Sequence, residues 1–317
     1  MCLNREPDNG SIPVLTASGR TLSEMWENSM LALWQNGASI RTQYDRKNDK
    51  GEYIDLPSRD CTMLMVCTNP FAEPMLHRAF PGGIEDLEEY RMEVVEGVKN
   101  HWIRDKNNPL DERWEYTYND RLTRFEFLGR EANLSMPGSF VAKDGFNLNL
   151  DQLEWLVCAL AEDPITRRAI IHTWRIGEDN EYKSPPCLQG IWARAVPVND
   201  TLVLNMNVRF RSRDAYDAAF MNCFAFVFLM QNIADRLSLK TGKKVVLGRY
   251  TDFSDSYHIY GRRIEDFQNR FMKLHSERTF EERTWNLADV TPIMHEANPK
   301  ILEKIAKVDA ERCPAEG

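Results

Sequence analysis

An alternating stretch and the long apolar run after it set the first limits on this fold. In TLVLNMNVRF, residues 201–210, every second side chain is apolar, which is the period of a strand with one buried face. Residues 215–239 are apolar nearly all round from Ala218 to Met230, which predicts a central, buried helix. A half-buried strand followed by a buried helix requires a layered structure built from both element types.

The remaining elements do not alternate as strictly as in a repeated strand–helix–strand unit. The predicted helices are residues 20–36, 84–97 and 150–162, and the predicted strands are residues 61–68 and 167–174 and the apolar segment 187–196. The first helix begins with a capping box, Thr21-x-x-Glu24. We therefore expect an α+β fold with a mixed sheet, a central buried helix and flanking helices.

The charge balance excludes some function classes. The chain has 40 Lys and Arg against 48 Asp and Glu, a net charge of −8, and it has no block of basic residues. Binding to a nucleic acid strand depends on clustered Lys and Arg, so we expect no such partner. The sequence also lacks an apolar run of about 18 residues and a secretory signal, which indicates a cytoplasmic protein that does not cross a membrane.

Seven scattered cysteines without a CxxC pair argue against a zinc cage or a disulfide framework. Cys187 follows Pro185-Pro186, and arginines near it would favour the reactive thiolate. Four of the others lie in apolar segments and are interpreted as packing residues, and two are terminal: Cys61, Cys67, Cys158 and Cys223, then Cys2 and Cys313. One working thiol, Cys187, is the prediction.

Several polar residues have both a structural and a functional interpretation. Asn222 is the one amide in the apolar run AAFMNCFAFVFLM, where an unpaired amide costs about 1–3 kcal/mol, so it bonds either to backbone or to the edge of a base. Arg211 and Ser212 at a strand end form either a solvated ion-pairing site or a phosphate site.

Arg167 and Arg168, as neighbours on a strand, should point to opposite faces. His258 and Tyr260 should share a face of a short strand, either in the core or at a site.

Taken in order, these segments resemble thymidylate synthase and its hydroxymethylase relatives. The family pattern has Pro-Cys at the nucleophile, Arg-Ser-x-Asp, an Asn about eight residues after that Asp, and His-x-Tyr further on. Here these stand as Pro186-Cys187 in PPCLQGIW, Arg211 to Asp214 with Asn222 in RSRDAYDAAFMN, and His258-Ile259-Tyr260 in DSYHIYGRRIEDF, after DPITRRAIIHTW. The earlier segments SRDCTM, EPMLHRAFPGG, LEEYRMEVVEG and WEYTYNDRL resemble the divergent branch found in archaea, phages and some nucleoside-modifying bacteria.

The resemblance implies folate-dependent transfer of a one-carbon unit to C5 of a pyrimidine nucleoside 5′-monophosphate, most favourably methylation of dUMP. Cys187 would add to C6 of the base, and C5 would then attack the methylene group of 5,10-methylenetetrahydrofolate; no metal is implied. Tyr116 and Tyr118 are candidates to order the catalytic water, and either Glu89 or Glu93 would be the catalytic glutamate.

The resemblance also implies how the substrates are held. Arg59, Arg211 and Ser212 would hold the 5′-phosphate, Asn222 would read the base edge, His258 and Tyr260 would hold the sugar, and Asp214 would hold the pterin of the folate. In this family Arg167 and Arg168 reach the partner's phosphate, so a homodimer is implied. Residues 1–317 would form one catalytic domain, with 1–60 a divergent N-terminal helix and loop and 266–317 a C-terminal segment.

Three departures from the family pattern leave the substrate and reaction open. Leu188 stands where His is common, Phe210 where Gln is common, and Ala218-Ala219-Phe220-Met221 replaces Gly-x-Pro-Phe. The alternatives are a hydroxymethylase that makes 5-hydroxymethyl-dUMP, -dCMP or -CMP, and a non-catalytic nucleotide- or RNA-binding relative. Asn222 favours uracil, although its amide can rotate to suit cytosine.

Overall fold

The computed structural model describes residues 10–105, 108, 110–127, 139–141, 148–176 and 178–312. Its α-helices are α1 (Leu22–Asn36), α2 (Ile84–Glu96), α3 (Tyr118–Thr123), α4 (Gln152–Glu162), α5 (Ala219–Thr241), α6 (Ile264–Phe267), α7 (Lys273–Glu277) and α8 (Leu287–Arg312). Its first strands are β1 (Val14–Gly19), β2 (Ala38–Ile40), β3 (Ser58–Cys67), β4 (Leu76–His77), β5 (Phe125–Phe127), β6 (Ser139–Val141) and β7 (Leu148–Leu150). The later strands are β8 (Ile170–His172), β9 (Leu188–Val198), β10 (Thr201–Phe210), β11 (Arg213–Asp214), β12 (Lys244–Ile259) and β13 (Thr284–Trp285).

The chain divides into two compact units. The first unit comprises Met1–Gly82, Val208–Cys223 and Arg249–Val290. The second comprises Gly83–Asn207, Phe224–Gly248 and Thr291–Gly317. A single domain over residues 1–317, with the segments 1–60 and 266–317, stays a prediction.

The first unit contains a mixed sheet. β3 pairs in parallel with β1 and antiparallel with β12, and short β2 and β11 add to β3 and β12. Helix α1 follows β1 and begins where the sequence predicts, because the Thr21 hydroxyl accepts the Glu24 backbone N–H at 3.2 Å. The strands β4 and β13 form a separate antiparallel pair.

The second unit contains the strand order β10-β9-β8 and a small sheet of order β5-β7-β6. A tight turn at Asn199, which has φ 52°, joins β9 to β10. Helix α2 ends at Gly97, as the sequence predicts. Gly97 has φ 71°, and a Cβ there would come within 2.4 Å of the Asn119 side chain, so both backbone and space require glycine.

The alternating strand and the apolar helix are confirmed. The five apolar residues on the inward face of β10 are at most 2% exposed, whereas Val203 on the other face is half-buried and Arg209 is exposed. Helix α5 is buried along most of its length but begins at residue 219 rather than 215. The delay has a local cause: Asp214 Oδ1 accepts the backbone N–H groups of Tyr216 and Asp217, which holds residues 215–218 in a turn.

Three predicted strand boundaries are wrong. β3 begins at Ser58 rather than at residue 61, so Arg59 lies in the strand and not before it. β8 spans only Ile170–His172, so Arg167 and Arg168 precede it. β12 is a strand of 16 residues rather than a short one, and it ends one residue before Tyr260.

The α+β class with a mixed sheet is confirmed. Within the described ranges, no helix is both long and apolar enough to cross a membrane.

Candidate active site

The residues predicted to form the site fall in both units, and each unit is described by itself. Those in the second unit are Glu89, Glu93, Tyr116, Tyr118, Arg167, Arg168 and Cys187. Those in the first unit are Arg59, Arg211, Ser212, Asp214, Asn222, His258 and Tyr260.

Cys187 lies directly before β9, and its side chain is half-buried. The backbone N–H of the next residue, Leu188, donates to the Tyr118 hydroxyl oxygen at 3.4 Å. The phenol of Tyr118 is also close enough to Cys187 for the thiol to affect its pKa. Within the second unit, the candidate nucleophile and one of the two candidate tyrosines are therefore neighbours.

Tyr118 is the first residue of α3, whose start is capped by the Thr117 hydroxyl accepting the Asp120 backbone N–H at 3.1 Å. Burial raises the pKa of Tyr118 well above its usual value, and the neighbouring Tyr116, Tyr90 and Cys187 raise it further. The ring centres of Tyr116 and Tyr118 are 5.7 Å apart. Tyr118 therefore stays a protonated phenol at physiological pH, able to donate a hydrogen bond.

A buried ion pair fixes α3 one turn beyond Tyr118. Arg121 Nη2 lies 2.6 Å from Asp179 Oδ1, and the side chains of both are at most 1% exposed. Arg121 also donates to the Thr173 carbonyl at 3.3 Å, and its own carbonyl accepts from Gln152 at 2.8 Å. The pair links α3, which begins at Tyr118, to the segment that contains Asp179, and removing either partner would leave an unpaired buried charge.

A cavity of about 530 Å³ opens beside the loop that leads to Cys187. Its lining residues are Tyr90, Glu93, Arg104, Glu112, Arg113, Trp114, Glu115, Tyr116, Thr117, Tyr118, Lys183 and Ser184. Tyrosines, one tryptophan and charged side chains of both signs therefore surround it. The cavity brings Glu93 together with Tyr116 and Tyr118, whereas Glu89 is not among the residues that line it.

The two candidate glutamates differ in their electrostatic surroundings. Burial raises the pKa of Glu93; the Lys99 ammonium, 3.0 Å from its carboxylate, offsets part of this effect, and Glu89 adds to the rise. Burial also acts to raise the pKa of Glu89, but hydrogen bonds from Lys304 at 2.7 Å and Lys99 at 2.8 Å outweigh it, so that pKa is lowered. Of the two carboxyls, only Glu93 combines a raised pKa with a place on the cavity.

Arg167 and Arg168 are both exposed and lie in the turn before β8. The Arg167 carbonyl accepts from the Trp192 indole at 3.2 Å, and the Arg168 backbone N–H donates to the Thr166 hydroxyl at 3.3 Å. The prediction that they alternate across a strand is wrong, because the strand starts after them.

In the first unit, the phosphate-binding candidates Arg211 and Ser212 form the link between β10 and β11. The Arg211 carbonyl accepts the Ser256 backbone N–H at 3.3 Å. Asp214, in β11, is the register partner of His258 in β12. Burial raises the pKa of Asp214 to about 6, opposed by the backbone N–H groups that its carboxylate accepts.

The rings of His258 and Tyr260 are neighbours, with centres 4.5 Å apart, although Tyr260 lies just after β12 and the two residues do not share one strand. His258 is 5% exposed, and burial lowers its pKa to about 4. Its Nδ1 lies 3.1 Å from the Ser256 hydroxyl, which in turn donates to Asp60 at 2.8 Å. Sequence reasoning missed Asp60, although a carboxylate at the start of the buried strand in SRDCTM is a signal that could have identified it.

The other two nucleotide-binding candidates are buried. Arg59 is 5% exposed and donates to the Ser39 hydroxyl at 3.1 Å and the Trp34 carbonyl at 2.9 Å. Burial lowers its pKa, opposed by Cys61. Asn222 is 9% exposed, in the first turn of α5. Its backbone N–H bonds the Ala218 carbonyl.

A buried cluster beneath the Arg211–Ser212 link was also missed. Arg213 is 2% exposed, its guanidinium lies 3.5 Å from the ring centre of Phe210, and Nη1 lies 2.7 Å from Asp252. The Tyr250 hydroxyl donates to the same carboxylate at 2.7 Å. The departure at Phe210 thus accompanies an arginine that stacks on its ring, and the ion-pair partner of that arginine, Asp252, lies 39 positions away, beyond the reach of any local pattern.

Three other cysteines are packing residues, as predicted. Burial raises the pKa of Cys61, Cys67 and Cys223 to about 12. Cys158 is different, and its interpretation as a packing residue is wrong: it is half-buried, 3.0 Å from the Lys240 ammonium and 3.2 Å from Glu154. The predictions for Cys2 and Cys313 lie outside the described residues.

Comparison with known proteins gives a consistent result. A protein named "Putative thymidylate synthase" in Methanosarcina acetivorans is 24% identical over 241 residues, covering 76% of this chain and 87% of its own length. One with the same name in Methanopyrus kandleri is 21% identical over 256 residues, covering 80% and 96%. The solved structure of thermostable thymidylate synthase A from Bacillus subtilis, 17% identical, superimposes with a TM-score of 0.54 over 80% of this chain and 84% of that chain.

The sequence model of the family described as thymidylate synthase matches residues 85–291. That match covers well over half of the chain. The Bacillus subtilis structure has the same fold as this chain. The chain belongs to the thymidylate synthase family.

Proposed function

We propose that this protein transfers a one-carbon unit from methylenetetrahydrofolate to C5 of a pyrimidine nucleoside 5′-monophosphate, and that it methylates dUMP. Membership of the family supports a folate-dependent one-carbon transferase. The observation that carries the proposal is the group formed by Cys187, the Tyr118 phenol beside it, and a cavity that also holds Glu93.

Cys187 is the proposed nucleophile, which forms a covalent bond to C6 of the base. A thiol that is half-buried at the start of a strand is held in place but stays accessible, which a nucleophile requires. Tyr118 and Tyr116 are proposed to order the catalytic water. Glu93 is proposed as the catalytic glutamate because burial raises its pKa, which favours proton exchange over a permanently ionised carboxylate.

The cavity of the second unit has a volume typical of sites for drug-sized ligands, and its lining suits a folate. Trp114, Tyr90 and Tyr116 offer flat apolar surfaces for the pterin and benzoyl rings, and Arg104 and Lys183 offer cations for the carboxylates of the glutamate tail. When bound, methylenetetrahydrofolate supplies the one-carbon unit and, for methylation, the hydride. These side chains would bind it and keep the rings from water.

For the nucleotide we retain the roles implied by the family motifs. Arg59, Arg211 and Ser212 are proposed for the 5′-phosphate, Asn222 for the base, His258 and Tyr260 for the sugar, and Asp214 for the pterin. Asn222 favours uracil, because its amide oxygen can accept the N3–H of that base while its NH₂ group donates to O4. We also propose a cytoplasmic homodimer in which Arg167 and Arg168 reach the partner's phosphate site, and both residues are exposed as that role requires.

Hydroxymethylation is the second candidate, with dUMP, dCMP or CMP as substrate. Its support is the polar lining of the cavity, where Glu93, Glu115 and Lys183 can hold water. Water that reaches the exocyclic methylene adds to it, whereas hydride transfer requires that water be excluded.

Product mass distinguishes these reactions and substrates in one experiment. The protein is incubated with methylenetetrahydrofolate and dUMP, dCMP, UMP or CMP, and the nucleotides are analysed by mass spectrometry. We expect a methyl gain on dUMP. A hydroxymethyl gain on dUMP, dCMP or CMP would establish the second candidate, and no change in any of the four would support a non-catalytic relative.

Cys187→Ser tests the nucleophile. The serine hydroxyl of this variant is far less nucleophilic than the thiol, so turnover should be abolished while nucleotide binding is retained. Cys158→Ser is the matched control, since Cys158 is also half-buried but contacts Lys240 and Glu154; its turnover should stay near wild type. Near-normal turnover of Cys187→Ser would contradict the proposed mechanism.

A further inference from the structure

A short series of hydrogen bonds within the first unit leads from a buried carboxylate to His258. Ser256 Oγ donates to Asp60 Oδ2 at 2.8 Å and lies 3.1 Å from His258 Nδ1. Asp60 in β3 and His258 in β12 are direct partners across the antiparallel pair. Ser256 lies in the irregular stretch of β12 between Ser254 and Tyr257, where the register shifts.

The direction of these hydrogen bonds follows from proton counting. An ionised carboxylate only accepts, so the single hydroxyl proton of Ser256 points to Asp60, and the hydroxyl presents a lone pair to His258. Nδ1 of His258 must then be the donor. Burial lowers the pKa of His258 to about 4, with partial compensation from a backbone hydrogen bond to Ser256, so the ring is neutral at pH 8. Because Nδ1 is the donor, the one proton of the neutral ring lies on Nδ1.

The assignment holds where Asp60 is ionised. Burial raises the pKa of Asp60 to about 6, and hydrogen bonds from the Ser256 hydroxyl and the Cys61 backbone N–H oppose the rise. The carboxyl is therefore ionised at pH 8, where Asp60 accepts and Ser256 donates.

The second ring nitrogen of His258, Nε2, is the one that can bind a ligand. Nε2 is buried, and no partner for it exists in the part of the chain that the structure describes. With the proton on Nδ1, Nε2 is a hydrogen-bond acceptor. A buried acceptor without a partner is unfavourable, so it indicates a donor that comes from outside the chain.

We infer that Asp60 is a positioning residue that acts through Ser256 to hold His258 as a hydrogen-bond acceptor for a hydroxyl group of the nucleotide sugar. This inference rests on the proposed function, in which His258 contacts the sugar. Ser256 also donates its backbone N–H to the Arg211 carbonyl, so the same residue contacts the proposed phosphate-binding link. A sugar with a free hydroxyl group fits His258, and one without it leaves Nε2 unpaired.

The tautomer of His258 is measured without any ligand. Long-range ¹H–¹⁵N spectra of histidine-labelled protein at pH 8 distinguish protonated from unprotonated ring nitrogens, and His258→Gln identifies the signal. We expect the proton on Nδ1 in the wild type. In Asp60→Ala the Ser256 hydroxyl is released to donate to Nδ1, in competition with the backbone hydrogen bond that holds the proton there, so the fraction of rings with the proton on Nε2 should rise.

Two matched variants separate this effect from a general disturbance of the strands. Asp60→Asn keeps an oxygen that accepts from Ser256 and should retain the wild-type tautomer. Asp255→Ala removes a neighbouring carboxylate that pairs with the exposed Arg209, and it should also leave the tautomer unchanged. A wild-type proton on Nε2, or an unaltered signal in Asp60→Ala, would overturn the inference.

Binding then tests the sugar contact. Calorimetry compares dUMP with 2′,3′-dideoxyuridine 5′-monophosphate, and the wild type should prefer dUMP by about threefold to tenfold, the strength of one hydrogen bond. Asp60→Ala should lose that preference with unchanged affinity for the dideoxy nucleotide. Equal wild-type affinity for both would contradict the hydroxyl contact. If the wild type binds neither, the proposed function fails, and the spectra still decide the role of Asp60.

Discussion

At the scale of single residues, two carboxyls on one helix have opposite properties. Glu89 and Glu93 lie one turn apart on α2 and share the ammonium of Lys99. Lys304 gives Glu89 a second cation, which lowers its pKa, whereas burial dominates at Glu93. A carboxyl held by two cations is suited to structure, and a desolvated one beside a cavity is suited to proton transfer.

We predict different effects of Glu93→Gln and Glu89→Gln. Glu93→Gln removes the proton-exchanging group and should lower kcat by about a hundredfold or more, with nucleotide affinity kept within a few-fold. Glu89→Gln breaks ion pairs and should lower the melting temperature with kcat nearly unchanged. Steady-state kinetics and thermal unfolding of both variants provide the comparison, and a larger loss of kcat in Glu89→Gln would reverse the assignment.

At the scale of elements, helix α1 is tied to the rest of the first unit by a buried ion cluster. The Glu27 carboxylate accepts from Arg283 at 2.5 and 2.7 Å and contacts His77 Nε2 at 2.8 Å. Burial acts to raise the pKa of Glu27, but the hydrogen bonds from Arg283 and His77 outweigh it and lower the pKa to about 2. The charged form is therefore strongly favoured in the folded chain.

This cluster predicts acid sensitivity with a defined sign. The folded pKa of Glu27 is below its unfolded value of 4.5, so the stabilisation is complete above that value and is lost as the pH falls from 4.5 towards 2. The loss amounts to about 3 kcal/mol. Urea unfolding of Glu27→Gln should show a much shallower fall in the free energy of unfolding over this range, whereas the exposed control Glu265→Gln should retain the wild-type fall. An unchanged acid dependence in Glu27→Gln would be evidence against the cluster.

Elements were predictable to the extent that their signals are local. The alternation in β10, the Thr21 cap of α1 and the glycine after α2 each involve residues a few positions apart. The errors came from interactions that override such patterns: Asp214 holds a turn before α5, and β8 starts only after Arg168.

At the scale of the whole molecule, the proposed homodimer makes each phosphate site depend on two chains. Arg167 and Arg168 are exposed and stand on a turn, so both guanidiniums are available to a partner. A symmetric dimer with such residues would exchange them reciprocally.

Mixing two inactive variants tests this arrangement. Cys187→Ser lacks the nucleophile, and the double variant Arg167→Ala/Arg168→Ala lacks the crossing arginines. In a mixed dimer the double variant keeps Cys187 and receives arginines from its partner, so random reassortment should restore about a quarter of wild-type activity. Activity is measured after co-refolding, with each variant refolded alone as the control. Absence of recovery, with mixed dimers shown by mass spectrometry, would argue against crossing arginines.

The sequence by itself determined the α+β class, most of the helices and strands, the family and the candidate nucleophile Cys187. It could do so because periodicity, caps and short motifs depend only on residues that are close together in the sequence. The tertiary structure alone brought Asp60 to Ser256, which are 196 positions apart, and desolvated Glu93 while Lys304 paired with Glu89. Burial and long-range pairing decide protonation, and they depend on which distant segments the fold brings into contact.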